Sequence, residues 1–90
     1  MDSKEFRQIF AALAPESYRL ARGILGNPED AEEAVQDAFM RVFEARESFR
    51  GEANLSTWIF RIVVNTCLTR RLRPDRVRES RIPLETAEKE

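Results

Sequence analysis

The chain has 90 residues with 15 basic and 16 acidic side chains, no histidine and one cysteine. That length holds one small domain, hiding only roughly 60% of its unfolded surface. The composition excludes an internal disulfide and leaves no ligand set for zinc, which draws on several thiolates or imidazoles.

The formal charge of −1 is unevenly spread. Residues 1–40 carry four basic and eight acidic groups, net −4, whereas residues 41–81 carry ten arginines against five acids, net +5. The field a partner meets is local, so an acidic half suits a basic surface and an arginine-rich half suits phosphates. No apolar run approaches the length a membrane helix needs. No basic-then-apolar segment opens the chain, so a cytoplasmic location and no membrane insertion are expected.

Helix formers abound and no alternating strand pattern occurs, which predicts an all-α fold, a compact bundle of about four helices. The first spans about residues 3–13, capped by Asp2 or Ser3, with Phe6, Ile9, Phe10 and Leu13 on one stripe. Pro15 suits the opening turn of a second helix, whose apolar side is Leu20, Ala21, Ile24 and Leu25 and whose end fits Gly26 in a left-handed conformation. Asn27-Pro28-Glu29-Asp30 starts a third: asparagine caps, proline takes the first helical position, and two acids face the positive end of the helix dipole.

With Ala31 as origin, the third helix turns Ala34, Val35, Ala38, Phe39 and Val42 to the core. Glu29, Glu33, Gln36, Asp37, Met40 and Glu44 fall on the far side. A pliable thioether among acids and an amide is equipment for docking a basic helix. The plainer reading is that the acids only solvate the helix and Met40 is a stray exposed group.

A loop over residues 47–55 follows, with Gly51 supplying permissive backbone angles. The fourth helix begins near residues 54–56 and ends before Pro74, because the residue ahead of a proline avoids the helical region. With Trp58 at zero, Ile59, Phe60, Val63, Val64, Cys67 and Leu68 fill an apolar arc from about 100° to about 280°. Trp58, Arg61, Ile62, Asn65, Thr66, Thr69 and Arg73 take the opposite arc. A ring beside an arginine, an amide and hydroxyls can stack on a base and bond its neighbours. The competing reading is a tryptophan partly buried under a loop.

Cys67 lies in the apolar arc and reads as an inert core thiol without a base beside it. Arg70 and Arg71 complement the helix end, and together with Arg73, Arg76, Arg78 and Arg81 they suit non-specific attraction to nucleic-acid phosphates. Residues 1–73 are expected to form the domain and residues 74–90 a polar tail or linker.

The string GNPEDAEEAVQDAFMRVFEARESFRGEANLSTWIFRIVVNTCLTRRLR resembles region 2 of a bacterial RNA polymerase sigma factor of the extracytoplasmic-function (ECF) group. The likeness covers roughly residues 6–73, with AVQDAF, SFRGEA and STWIFRIVVN as its most specific phrases, and PLE in the tail resembles the start of the linker that follows this domain.

The resemblance implies a module without catalysis or cofactor that binds core RNA polymerase, recognises the −10 promoter element and helps to melt it. It implies docking on the β′ clamp helices through Glu33, Gln36, Asp37 and Met40. It implies a loop pocket for a flipped base at Phe49, Arg50, Gly51 and Asn54. Trp58, Arg61, Ile62 and Asn65 would face the upstream edge of the melted segment, where Thr69, Arg70 and Arg73 add DNA contacts. An anti-sigma factor is a further expected partner.

The physical chemistry suits those residue types. An aromatic platform returns ~1–3 kcal/mol per stacked base, and an amide offers a donor and an acceptor to a base edge. Unpairing costs a few kcal/mol, so base capture favours the open state without ATP. Ile62 departs from a base-reading set, leaving Asn65 or Thr69 to read any duplex edge. Nothing after Pro74 resembles the second helical domain that reads the −35 element in full factors. The alternative is a sigma-like interaction module, a decoy for an anti-sigma factor, that touches no DNA. Enzyme chemistry finds no support: there is no metal-ligand spacing and no phosphate-cradling glycine loop, and the acids of the third helix point outward, away from any pocket.

Overall fold

Asp2 begins the first helix by a reciprocal cap. Its side chain accepts from the Glu5 amide at 2.8 Å, and the Glu5 carboxylate accepts from the Asp2 amide at 3.1 Å, satisfying donors that the first turn leaves unpaired. From there the chain runs helically from Ser3 to Leu25, which we label α1. The computed structural model describes residues 2–51 and 54–72. Within it follow α2 (Pro28–Glu44), a 3₁₀ turn (Arg46–Ser48) and α3 (Leu55–Leu72).

The architecture is all-α, as expected, but with three α-helices among the described residues instead of about four. The difference lies at Pro15, which sits inside α1 and does not open a new helix. An interior proline costs about 3 kcal/mol, through a lost amide bond and a clash with the carbonyl four residues earlier. Here that carbonyl belongs to Ala11, and Ala11, Ala12 and Pro15 are all exposed. Water can therefore serve the released carbonyl. Packing of both halves, from Phe6 to Leu25, against one shared core holds the axis together.

Gly26 ends α1 at φ 86°, and its amide donates to the Arg22 carbonyl at 2.9 Å. A left-handed residue is nearly free for glycine and strained for other types. Asn27 then caps α2 by accepting from the Asp30 amide at 2.9 Å, with Pro28 in the first turn. The chain reverses between two antiparallel neighbours within these few residues.

The core joins Ala21 and Leu25 of α1, Ala31, Ala34, Val35, Ala38, Phe39 and Val42 of α2, and Ile59, Val63 and Cys67 of α3. The alanines of α2 bring the helix axes close, and the aromatic residues fill one end. Phe6 meets Phe39 and Phe43 edge-on, at centroid distances of 6.3 and 5.0 Å. Phe10 meets Phe39 at 4.9 Å. Edge-to-face pairs of this kind add about 0.5–1.5 kcal/mol each beyond area burial.

The orientation of α3 departs from expectation. Its buried stripe is Ile59, Val63, Thr66 and Cys67. Phe60 and Val64 are only half-buried, and Leu68 is exposed. A helix leaning on two neighbours buries a narrower arc than one enclosed by three. With α1 continuous, no fourth helix among the described residues covers the Phe60–Val64–Leu68 flank, and the core direction rotates toward Thr66. The expected domain limit at residue 73 and the tail over 74–90 lie outside the described residues.

Candidate functional site

The outer side of α2 carries Glu33, Gln36, Asp37 and Met40, all exposed, with Met40 at 62%. The placement follows from helical spacing. Ala34, Val35, Ala38 and Phe39 point inward, which turns the intervening polar residues to solvent. Beside them a groove of about 450 Å³ runs between α1 and α2, lined by Phe6, Phe10, Gln36, Phe39, Met40 and Phe43 with Glu44 at its rim. The angular count found the carboxylates. It did not find the aromatic groove, because the α1 partners of α2 are set by tertiary packing.

The acidic face is not wholly free. Arg70 of α3 forms a hydrogen-bonded ion pair with Glu33 and lies 3.7 Å from Asp37. Its side chain is 24% exposed, against 66% for Glu33 and 52% for Asp37. Arg70 was expected among the DNA contacts; in this structure its guanidinium is engaged across the helix interface with two carboxylates of α2. Arg73, also expected there, lies outside the described residues.

The second face joins the loop to the first half of α3. Arg46 in the 3₁₀ turn donates to the Phe43 carbonyl at 2.6 Å, and its guanidinium lies 3.9 Å from the Phe43 ring centroid. Ser48 closes the turn onto the Ala45 carbonyl through its amide and its hydroxyl. This anchors Phe49, whose ring packs on Trp58 at a centroid distance of 5.2 Å. Arg50 and Gly51 are exposed, and Gly51 takes φ 85°, the left-handed region that favours glycine.

Asn54 caps α3. Its Oδ1 accepts from the Thr57 amide at 2.9 Å and from the Ser56 hydroxyl at 3.0 Å. A base-edge role for Asn54 is thereby narrowed to its amide donors, since the acceptor is engaged.

Trp58 stands half-buried, packed against the core beneath Phe49. The reading of a partly covered ring is therefore correct and that of a freely exposed one is not. The rotation of α3 turns the indole inward, and the loop supplies a lid. Ile62 is likewise half-buried against the core. Arg61, Asn65 and Thr69 are exposed, one helical turn apart in sequence on the same side as Trp58. Thr66, expected on this polar arc, is 5% exposed and belongs to the core.

Arg61 and Asn65 also border a second groove of about 530 Å³ between α1 and α3, floored by Leu20, Phe60 and Val64. Cys67 is fully buried and burial pushes its thiol up, an effect that nearby Arg70 partly offsets. Among the described residues no group of acids, cysteine and histidine is placed to hold a metal ion. No helix there is long and apolar enough to cross a membrane.

The fold is a small helical unit with an acidic face on α2 and a cationic, aromatic one on α3. The sigma-70 region 2 family model matches residues 9–77. The ECF RNA polymerase sigma factor SigM of Mycobacterium tuberculosis is 42% identical over 69 residues, covering 77% of this chain and 35% of that protein. SigW of Bacillus subtilis is 33% identical over 69 residues, covering 77% of the chain and 37% of the relative. The sigma-E factor of Escherichia coli is 46% identical over 37 residues, 41% of the chain and 19% of the relative.

The chain belongs to the sigma-70 region 2 family, as a region 2 domain of the ECF sigma type. It spans roughly a third of the length of SigM and SigW. No solved structure matches it.

Proposed function

We propose that this domain binds core RNA polymerase through the outer face of α2 and recognises and helps to melt the −10 promoter element through the loop and α3. The observation that carries the reading is the simultaneous exposure of Gln36 and Asp37 on one side and of Arg61, Asn65 and Thr69 on another. The relatives' designation as RNA polymerase sigma factors supports it.

On the polymerase side, Glu33, Gln36 and Asp37 offer carboxylates and an amide to a basic helix of the β′ clamp, while Met40 adapts its shape to an apolar neighbour. The groove behind Met40 gives such a neighbour room. On the DNA side, Arg61 neutralises a phosphate and sets register, and the Asn65 amide meets a base edge. The exposed part of the Trp58–Phe49 pair offers a stacking surface at the edge of the melted segment. Arg50, Gly51 and the Asn54 amide line the loop where an unpaired base would lodge.

The direct test uses two variant sets in the whole chain. Asp37→Arg reverses charge at an exposed position and should weaken binding to core polymerase at least about tenfold, because like charges across an interface cost several kcal/mol. Arg61→Ala with Asn65→Ala should leave that affinity unchanged and weaken capture of a single-stranded −10 oligonucleotide by the polymerase complex. Unaltered polymerase binding by Asp37→Arg would refute the docking face, and unaltered oligonucleotide capture would refute the DNA face.

A further inference from the structure

Arg70 reaches from α3 to the outer carboxylates of α2, meeting one oxygen of Glu33 and approaching one of Asp37 at 3.7 Å. Its side chain is 24% exposed, with Cys67 fully buried one turn before it. Glu33 and Asp37 stand more than half exposed. The cation is thus held by two carboxylate side chains that remain largely exposed to solvent. With Arg70 in place, this corner carries two negative charges and one internal positive charge. An approaching basic helix meets half the field that the carboxylates alone would present.

We infer that Arg70 is a built-in competitor for the polymerase-docking carboxylates: it holds Glu33 and Asp37 in the free domain and must be displaced when a cation of the β′ clamp helix arrives. This rests on the docking reading given above. Competition follows from geometry. A guanidinium fork and an incoming Lys or Arg seek the same carboxylate oxygens, and Arg70 is tethered at high effective concentration. The consequence is a threshold. A partner bringing a single weakly placed cation gains little, whereas one whose cations match the spacing of Glu33 and Asp37 replaces the internal pair. Arg70 thereby acts as a specificity-determining residue without itself touching the polymerase.

The test titrates the 90-residue chain with a recombinant coiled-coil fragment of the β′ clamp, at low and at high salt, for wild type, Arg70→Gln, Arg70→Lys and Gln36→Ala. Arg70→Gln should tighten binding by about three- to tenfold at low salt. The gain should vanish near 1 M salt, where screening acts within about 3 Å. Arg70→Lys, which keeps the charge, should stay within about twofold of wild type.

Gln36→Ala, which removes an amide of the docking face, should bind more weakly than wild type. Equal or weaker binding by folded Arg70→Gln alongside that loss overturns the competition and leaves the docking reading standing. If Gln36→Ala and Arg70→Gln both bind as wild type does, the docking reading falls and the competition with it. A measurement on the unaltered chain stands apart from any folding defect: the Arg70 side-chain N–H signal in NMR should lose its protection from exchange when the coiled coil binds. Retained protection refutes displacement.

Discussion

Removing the indole of Trp58 separates two roles that the sequence alone assigns to one residue. In this structure the ring is half-buried against the core and touches Phe49. A fully buried tryptophan truncated to alanine costs about 3–5 kcal/mol, so a ring with most of its surface covered should cost at least about 2 kcal/mol. The lost Phe49 contact is included in that figure, since aromatic pairs contribute about 0.5–1.5 kcal/mol. A domain of this size has little more than about 5 kcal/mol of stability in total.

The assay is urea denaturation followed by far-ultraviolet circular dichroism, because the chain has only one tryptophan and the variant loses it. With a slope of about 1 kcal/mol per molar urea, Trp58→Ala should lower the midpoint by roughly 2 M. A shift below roughly 0.5 M, typical of a surface substitution, would refute the partial burial and restore a freely exposed ring. The result also separates lost packing from the proposed loss of base stacking in Trp58→Ala, and Trp58→Phe, which keeps most of the packing, is the variant suited to testing that proposal.

Ser17 is fully buried in α1 and its hydroxyl has no hydrogen-bond partner among the described residues. An unsatisfied buried polar group costs about 1–3 kcal/mol, so Ser17→Ala should raise stability by about 1 kcal/mol, or about 4–8 °C in a thermal melt; a loss would show that the hydroxyl is satisfied. The folded Cys67 thiol has its pKa raised by burial, so the unfolded chain ionises first. Stability should be intact below the ordinary thiol pKa of about 8.5 and fall as pH climbs from there through the folded value. Cys67→Ala should flatten that alkaline decline relative to wild type, and identical slopes would contradict the assignment.

The starts of the three observed helices and the end of α1 were legible because they are written in local chemistry. Asp2, Asn27 and Asn54 cap through their own side chains, and Gly26 tolerates an angle other residues resist. The faces of α2 were equally legible, since Ala31, Ala34 and Ala38 recur at helical spacing and leave Glu33, Gln36, Asp37 and Met40 no direction but outward. Family membership rested on phrases that survive in the chain as contiguous strings.

Three features depended on what packs against what. Pro15 signals a helix start in isolation, yet the shared core holds α1 through it, because burial along both halves outweighs one missing amide bond. The apolar arc of α3 is wider than any two neighbours can cover. Only their positions determine that Thr66 goes inside, that Phe60 and Val64 line a groove, and that Trp58 is half covered by Phe49. The bond from Arg70 to Glu33 joins residues 37 positions apart, a separation across which no local pattern speaks. Local chemistry therefore determined the starts of the three helices, the end of α1 and the acidic face. Only the tertiary arrangement decided which apolar flank stays uncovered and which cation holds that face, because both depend on distances between helices that the chain's own periodicity does not contain.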